Sequence, residues 1–388
     1  MQPKNITLFI ALLFVSLNPL FSQNTIIESE ENDIKVNELG IFLQSQIHEN
    51  NPEAYLSKFD TQVIKNKVKE LDADMFQTIE DENEFEKGLK IGLLEFPKRI
   101  MGYVELGSYY DFINYRYDEE TQTYHMLFRL FQMDEGINYH DYKVSVVNDE
   151  FMFDDMYIYL SGEYISNTFT RIFQYSAPES SLNNTSSYKK YSKALIDIKA
   201  GNHENAYHLL NAITGELAKE KFIHISKIQL AAKIDDTTYM EAIESLRNTF
   251  PNDPTIYLTL VDYYVMKEDY GVAFDLVDNL HVETSDNFLN YLKGNIAYAR
   301  SEYDEALMYF NYMIANYPDF QQPYVSNVTI YTHLQKFDEA LSILDALVEK
   351  DYDKQLLIEY VEEKDENGLN ELESLANSKA YKKWKNKS

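Results

Sequence analysis

The chain has 388 residues, 45% of them hydrophobic and 14% aromatic, enough apolar material for two or three packed domains and too much for a disordered chain. Its 64 acidic and 35 basic residues leave a net charge of −29, a sign that repels phosphate backbones and anionic lipid and argues against nucleic acid as a partner. Cysteine is absent, which excludes disulfides, thiolate metal ligands, a thiol nucleophile and a lipidated cysteine.

At the N-terminus, Lys4 precedes an apolar run from Ile6 to Leu17, broken by Asn18-Pro19 and followed by Leu20-Phe21-Ser22-Gln23. That is the pattern of a secretory signal peptide over residues 1–22, cleaved after Ser22. The run of about 12 apolar residues falls short of the roughly 20 needed to span a bilayer. No later stretch is long or apolar enough to do so. The expected mature chain is therefore exported, periplasmic or secreted, not lipidated, and without an integral membrane segment.

Residues 24–32 read as a polar lead, and 33–176 as an α+β domain. Val36, Leu39, Phe42, Leu43 and Ile47 recur at the spacing of one buried helix face. A second helix is expected from Pro52 through Tyr55, Phe59 and Val63, and a third from Glu82 to Ile100, kinked or ended by Pro97. The period then drops to two. Tyr109–Tyr117, Tyr124–Met133, Asn138–Val147 and Phe151–Leu160 read as four strands of an antiparallel meander, joined by Asp, Glu, Asn and Gly turns. In the last strand Met152, Met156, Ile158 and Leu160 are expected on one face, with Asp155, Tyr157 and Tyr159 on the other. A closing helix is expected near Ser161, with Tyr164, Phe169 and Phe173 inward. Helices on such a meander loosely resemble the cystatin-like and NTF2-like folds, although a plain meander preceded by three helices departs from that pattern. Residues 177–187 are small and polar, the composition of a linker.

From Tyr188 a phrase ending in alanine returns: His203-Glu-Asn-Ala206, Tyr239-Met-Glu-Ala242, Tyr270-Gly-Val-Ala273, Tyr303-Asp-Glu-Ala306 and Phe337-Asp-Glu-Ala340. The alanines stand 36, 31, 33 and 34 residues apart, the period of stacked helix–turn–helix units. Four residues after each comes a large apolar residue: Leu210, Leu246, Val277, Phe310 and Leu344. Twelve before lie Ala194, Leu230, Val261, Gly294 and Val328, the packing position of the first helix. The unit around Ala242 reads as the weakest because its second helix looks short.

These marks resemble the tetratricopeptide repeat family over 188–352, as about five helix pairs. An all-α solenoid is therefore expected after the α+β domain, with 353–388 as capping helices and a basic tail. The resemblance implies a protein or peptide partner on the concave face, lined by the first helix of each pair. Carried over by register, the residues facing it are Tyr188, Tyr191, Asp262, Tyr291, Asn295, Tyr298, Thr329 and His333.

Chemistry is harder to find. Gly107-Ser108 and Ser161-Gly162 lack a nucleophile elbow, no His-Glu-x-x-His motif occurs, and the 12 glycines do not cluster into a phosphate loop. The one suggestive pair is His140, in Tyr139-His140-Asp141-Tyr142, with Asp154 of the next strand as a proton-transfer partner. The reading is a non-catalytic scaffold or adaptor of the cell envelope, with no cofactor, no metal and no catalytic residue. The alternative is a small-molecule or enzymatic pocket in the α+β domain, positioned by the repeats.

Overall fold

The computed structural model describes residues 25–71, 76, 78–133, 136–176, 186–251, 253–365 and 367–387. The expected signal peptide, most of the linker and the Phe173 side chain lie outside the described residues.

Helix α1 (Glu30–His48) starts where the Ser29 hydroxyl accepts from the Asn32 amide, with Glu30, Glu31 and Asp33 in its first turn. It buries Val36, Leu39, Leu43 and Ile47, as their spacing predicts. The second expected helix is two: α2 (Pro52–Leu56) and α3 (Gln62–Leu71). Between them the chain extends so that the Asp60 amide donates to the Phe153 carbonyl (2.8 Å) and the Phe153 amide to the Lys58 carbonyl (2.9 Å). The Phe59 ring stacks on Phe153 at 4.8 Å. A tertiary pairing thus overrides a helical pattern at Phe59. Helix α4 (Ile79–Glu105) opens with a capping box between Thr78 and Asp81 and runs eight residues past Pro97, which is buried within it. Packing on the sheet outweighs the one helical hydrogen bond that proline removes.

The sheet has five strands rather than four, all antiparallel and in sequence order: β1 (Tyr109–Asp118), β2 (Thr123–Gln132), β3 (Gly136–Val147), β4 (Glu150–Ile158) and the two-residue β5 (Glu163–Tyr164). Its outer edge is shielded by α1: the Phe112 amide donates to the Gln44 side-chain oxygen (2.6 Å), and the His48 Nε2 lies 2.9 Å from the Tyr110 carbonyl. Between β3 and β4 the register slips, Lys143 facing Asp155 and Val144 facing Phe153. Asp154 is the extra residue of that bulge, so Phe153, not Met152, joins Met156 in the core.

One sheet face, with Tyr110, Tyr124, Met126, Phe128, Tyr142 and Met156, packs on α1 to α4. The closing helix α5 (Ile165–Ser176) begins where Asp155 accepts from the backbone and hydroxyl of Ser166 (3.1 and 2.5 Å).

The second half is helical. Five pairs follow: α6 (Ser186–Lys199) with α7 (His203–Asn211), α8 (Lys221–Ala231) with α9 (Asp236–Thr249), α10 (Tyr257–Met266) with α11 (Tyr270–Thr284), α12 (Asn290–Ala299) with α13 (Tyr303–Asn316), and α14 (Gln322–His333) with α15 (Phe337–Glu349). The phrase alanines Ala206, Ala242, Ala273, Ala306 and Ala340 are all buried, as are Leu210, Leu246, Val277, Phe310 and Leu344 four residues on. Gly294 shows why a small residue is needed: a Cβ there would lie 2.6 Å from the Phe310 ring. The unit around Ala242 is not short; α9 has 14 residues against nine in α7. In four pairs the turn between helices carries a left-handed residue five places before the alanine: Gly201, Glu268, Ser301 and Gln335, with φ of 78°, 58°, 61° and 56°. Only one of these is the glycine that a sequence search would notice.

After α15 come α16 (Lys354–Glu362), α17 (Glu373–Asn377) and α18 (Lys379–Lys385). Tyr381 and Trp384 close the stack: both are buried, and the Trp384 indole donates to Asp345 (2.6 Å).

Candidate binding surface

The helix pairs cover the other face of the sheet. Leu127, Phe131, Ile137 and Tyr139 share a core with Phe288, Leu289 and Phe320, which lie between successive pairs. Phe131 meets Phe288 at 5.2 Å and Phe320 at 5.0 Å. Polar contacts fall on these turns and on the starts of earlier first helices. Asn114 donates to the Thr284 carbonyl (2.6 Å), Tyr109 to the Asp319 carbonyl (2.8 Å), and Lys221 to Tyr157 (2.7 Å) and Thr255 (2.9 Å). The sheet therefore docks across the ends where first helices begin. Because the two helices of a pair run antiparallel, the opposite ends, where α12 and α14 finish, are about 15 Å away for a ten-residue helix.

At the centre of this seam sits Arg129, 1% exposed. Its guanidinium reaches Asp286 (2.7 Å) and Asp111 (2.5 Å) and lies 4.0 Å from the Phe288 ring centroid. Burial lowers its pKa, but the two carboxylates outweigh that and hold it above its usual value. Tyr139 donates to the other Asp286 oxygen (2.8 Å), and its own pKa is raised, first by burial and then by Asp286. Asp286 also accepts from the Phe288 amide (3.0 Å), which ties this cluster to the turn leading into α12.

His140 and Asp154 do not converge. His140 pairs with Ile158 across the strands, whereas Asp154 sits at the bulge. His140 is 3% exposed, its Nδ1 3.1 Å from the Tyr110 hydroxyl and its Nε2 3.2 Å from the Asn138 amide nitrogen. Burial pulls its pKa down to about 3, and Tyr110 and Tyr55 both hydrogen-bond Tyr142 beside it. This is a neutral core histidine in a tyrosine network. Asp154, unpartnered at Oδ1, has its pKa pushed up to about 7 by burial. A pair that sequence reasoning missed lies on the other sheet face. There Asp141 takes His125 at 3.0 Å and also Arg116 at 2.6 Å, and because the three come from β1, β2 and β3 no spacing along the sequence announces the cross-strand match. A cleft of ≈ 370 Å³ beside Arg116 is lined also by Tyr159, Thr255 and Glu283, and a larger one of ≈ 830 Å³ lies between α2 and α4; His140 lines neither.

The eight residues carried over by repeat register separate into three groups. Tyr191 and Thr329 are buried, Tyr191 against the Phe222 ring at 5.7 Å. Tyr188 and Tyr291 are half-buried. Tyr188 packs on the first pair's core, and Tyr291 lies within 4.9 Å of Phe320 and 6.0 Å of Phe131. Asn295 and Tyr298 are half-buried as well, whereas Asp262 and His333 are exposed. Asp262 keeps surface as a residue, but the protein crowded around its carboxyl desolvates it and pushes its pKa up to about 6.

Tyr298 and His333 come together. The Tyr298 hydroxyl is 3.2 Å from His333 Nε2 and 3.5 Å from a Glu371 carboxylate oxygen. The His333 ring stacks on Tyr303 at 6.1 Å and 10°, and Tyr303 lies 5.9 Å from Tyr298. Burial raises the Tyr298 pKa, with Glu371 adding to it. This aromatic cluster lies at the helix ends remote from the sheet. Tyr303 was visible in the sequence only as part of the repeat phrase; Glu371, from the loop before α17, carried no signal at all.

No protein-family profile and no curated protein matches the chain. Among solved structures, "MamA AMB-1 P212121" aligns at 16% identity and a TM-score of 0.34, covering 44% of this chain and 96% of that one. "MamA MSR-1 C2" aligns at 17% identity and 0.35, covering 43% and 98%, and "MamA RS-1 ArsTM double mutant" at 9% and 0.34, covering 42% and 96%. A likeness at that level carries no argument about function. The class of the molecule rests on its own packing: a helix-backed antiparallel sheet docked on a run of stacked helix pairs. Among the described residues no helix is long and apolar enough to cross a membrane, and no group of three or more His, Asp or Glu is placed to hold a metal ion.

Proposed function

We propose that the chain is a non-catalytic scaffold that holds a protein or peptide on the first-helix side of its repeats, and that it works in the cell envelope. The observation that carries this reading is the Tyr298–His333–Tyr303 cluster. Three rings from three successive helices meet at the surface, linked by a 3.2 Å hydrogen bond, at the helix ends the sheet leaves free. Tyrosine and histidine give large contact area and a polar tip at little entropic cost, which is why such residues anchor interfaces. The placement in the envelope rests on the signal-peptide pattern of residues 1–22. The enzymatic alternative loses its specific support, because His140 is sealed in the core and Asp154 is displaced by the bulge.

The test uses the full chain as bait in extracts of its own cells, beside a Tyr298→Ala/His333→Ala variant. The scaffold reading expects a reproducible protein partner that the variant loses while its melting temperature stays unchanged. The same partners captured by both proteins would remove this face from the account.

A further inference from the structure

Near the ring cluster, at the C-terminal end of the stack, lies a cleft of ≈ 660 Å³ whose lining includes Tyr360, Glu363, Lys364, Leu369, Asn370 and Glu371. Glu371 belongs to both, since it accepts from Tyr298 and lines the cleft. The loop that supplies it is held in place. The Asp365 carboxylate accepts from the Asn367 and Leu369 amides (2.9 and 2.7 Å), Asn370 donates to the Val361 carbonyl (3.0 Å), and Leu372 is buried. That leaves Leu369 69% exposed on the wall.

The charges here are unbalanced. Among the described residues neither Glu363 nor Glu371 forms a salt bridge, although the neighbouring Glu362 is paired with Lys385. Burial pushes the Tyr360 hydroxyl pKa up to about 12; a hydrogen bond with Thr329 pulls the other way, and the nearby Glu371 and Glu363 carboxylates add to the rise. Lys364 is the single cation in the lining. Two carboxylates without a salt bridge among the described residues, one of them accepting from Tyr298 and both lining a cleft with Tyr360 and an exposed leucine, complement a long cationic side chain. The carboxylates take the charged head, the ring faces add cation–π attraction, and the leucine covers the aliphatic stem.

We propose that this cleft seats an arginine or lysine side chain of the bound partner, so that the scaffold's ligand is a basic peptide segment. The inference rests on the scaffold reading and narrows it. It also agrees in sign with the chain's net charge of −29, which speeds the approach of a basic partner without by itself choosing where it docks.

The experiment measures fluorescence anisotropy of a labelled peptide of alternating arginine, glycine and alanine, and of the same peptide with citrulline for arginine, on the full chain at about 0.15 M salt. Glu363→Gln/Glu371→Gln is compared with Glu204→Gln/Glu241→Gln, which removes the same charge from exposed positions on α7 and α9. The proposal expects the cleft variant to bind the arginine peptide about tenfold more weakly and the control variant less than about twofold, with the citrulline peptide weak throughout. Equal losses in the two variants would show that only the overall field attracts the peptide, and equal binding of the citrulline peptide would show that charge is not recognised; either overturns it. Capture of a cellular partner that survives Glu363→Gln/Glu371→Gln but not Tyr298→Ala/His333→Ala would leave the scaffold standing and refute the cationic seat alone.

Discussion

Arg129 and Asp286 meet at 2.7 Å with side chains each 2% exposed, one from the middle of a sheet strand and the other from the turn between two helix pairs. Their pairing joins two parts of the chain 157 residues apart in sequence. Asp286→Ala would leave the guanidinium buried with only Asp111, and Tyr139 without its acceptor. The expected loss is about 3–5 kcal/mol in urea unfolding. Asp319→Ala, at an exposed position nearby, is expected to cost under about 1 kcal/mol. A similarly small loss for Asp286→Ala would mean that the seam does not hold the two parts together.

His140 predicts how stability responds to acid. Its folded pKa of about 3 lies below the ordinary histidine value, so the unfolded chain takes up a proton that the native core refuses. The stability it permits is full above about pH 6.5 and is lost as pH falls from there towards 3, by at most about 1.4 kcal/mol per pH unit. Carboxylates add their own slope, so the comparison that isolates it is His140→Leu, whose unfolding free energy should fall less steeply between about pH 6.5 and 5. Parallel slopes in the two proteins would contradict the burial of a neutral imidazole.

Asp154 predicts the opposite sign. Its folded pKa is raised to about 7, so the native state holds a proton the unfolded chain has released, and the cost of ionising it is complete only above that pH. Asp154→Asn should stabilise the chain on the order of 1–3 kcal/mol at pH 8, with the gain shrinking as the pH is lowered towards 4. A gain that does not change with pH would sink this reading.

The two tyrosines of α12 should behave differently. Tyr291 is embedded with Phe131, Phe310 and Phe320, and Tyr291→Ala is expected to cost about 2–4 kcal/mol and loosen the seam. Tyr298 is half-buried too, but its ring neighbours are Tyr303 and the exposed His333, and its truncation should cost less, about 1 kcal/mol. Thermal unfolding of both variants separates them, and a variant at position 291 therefore cannot serve as a clean probe of binding.

The repeats and strands were legible because each is written as a period. Alanines near every 34 residues and alternating aromatics survive as patterns whatever the chain packs against. What was not legible came from distant pairing. Phe59 has a helical neighbourhood, but its partner Phe153 lies 94 residues away, and their bridge splits α2 from α3. One extra residue at the β4 bulge changed which side Met152 and Asp154 face, and no spacing rule announces a bulge. The groove set came from repeat register alone, which cannot see that the sheet crowds Tyr291 or that residue 371 returns to Tyr298.

The central claim is that the surface built from α12, α13, α14 and the loop before α17 receives a partner. Hydrogen exchange of the full chain, alone and saturated with its captured partner, tests it most directly. The account predicts new protection in peptides covering 290–303, 322–333 and 369–372, with the sheet peptides unchanged. Protection confined to the sheet or to α1 to α4 would contradict it and move the binding surface to the N-terminal half.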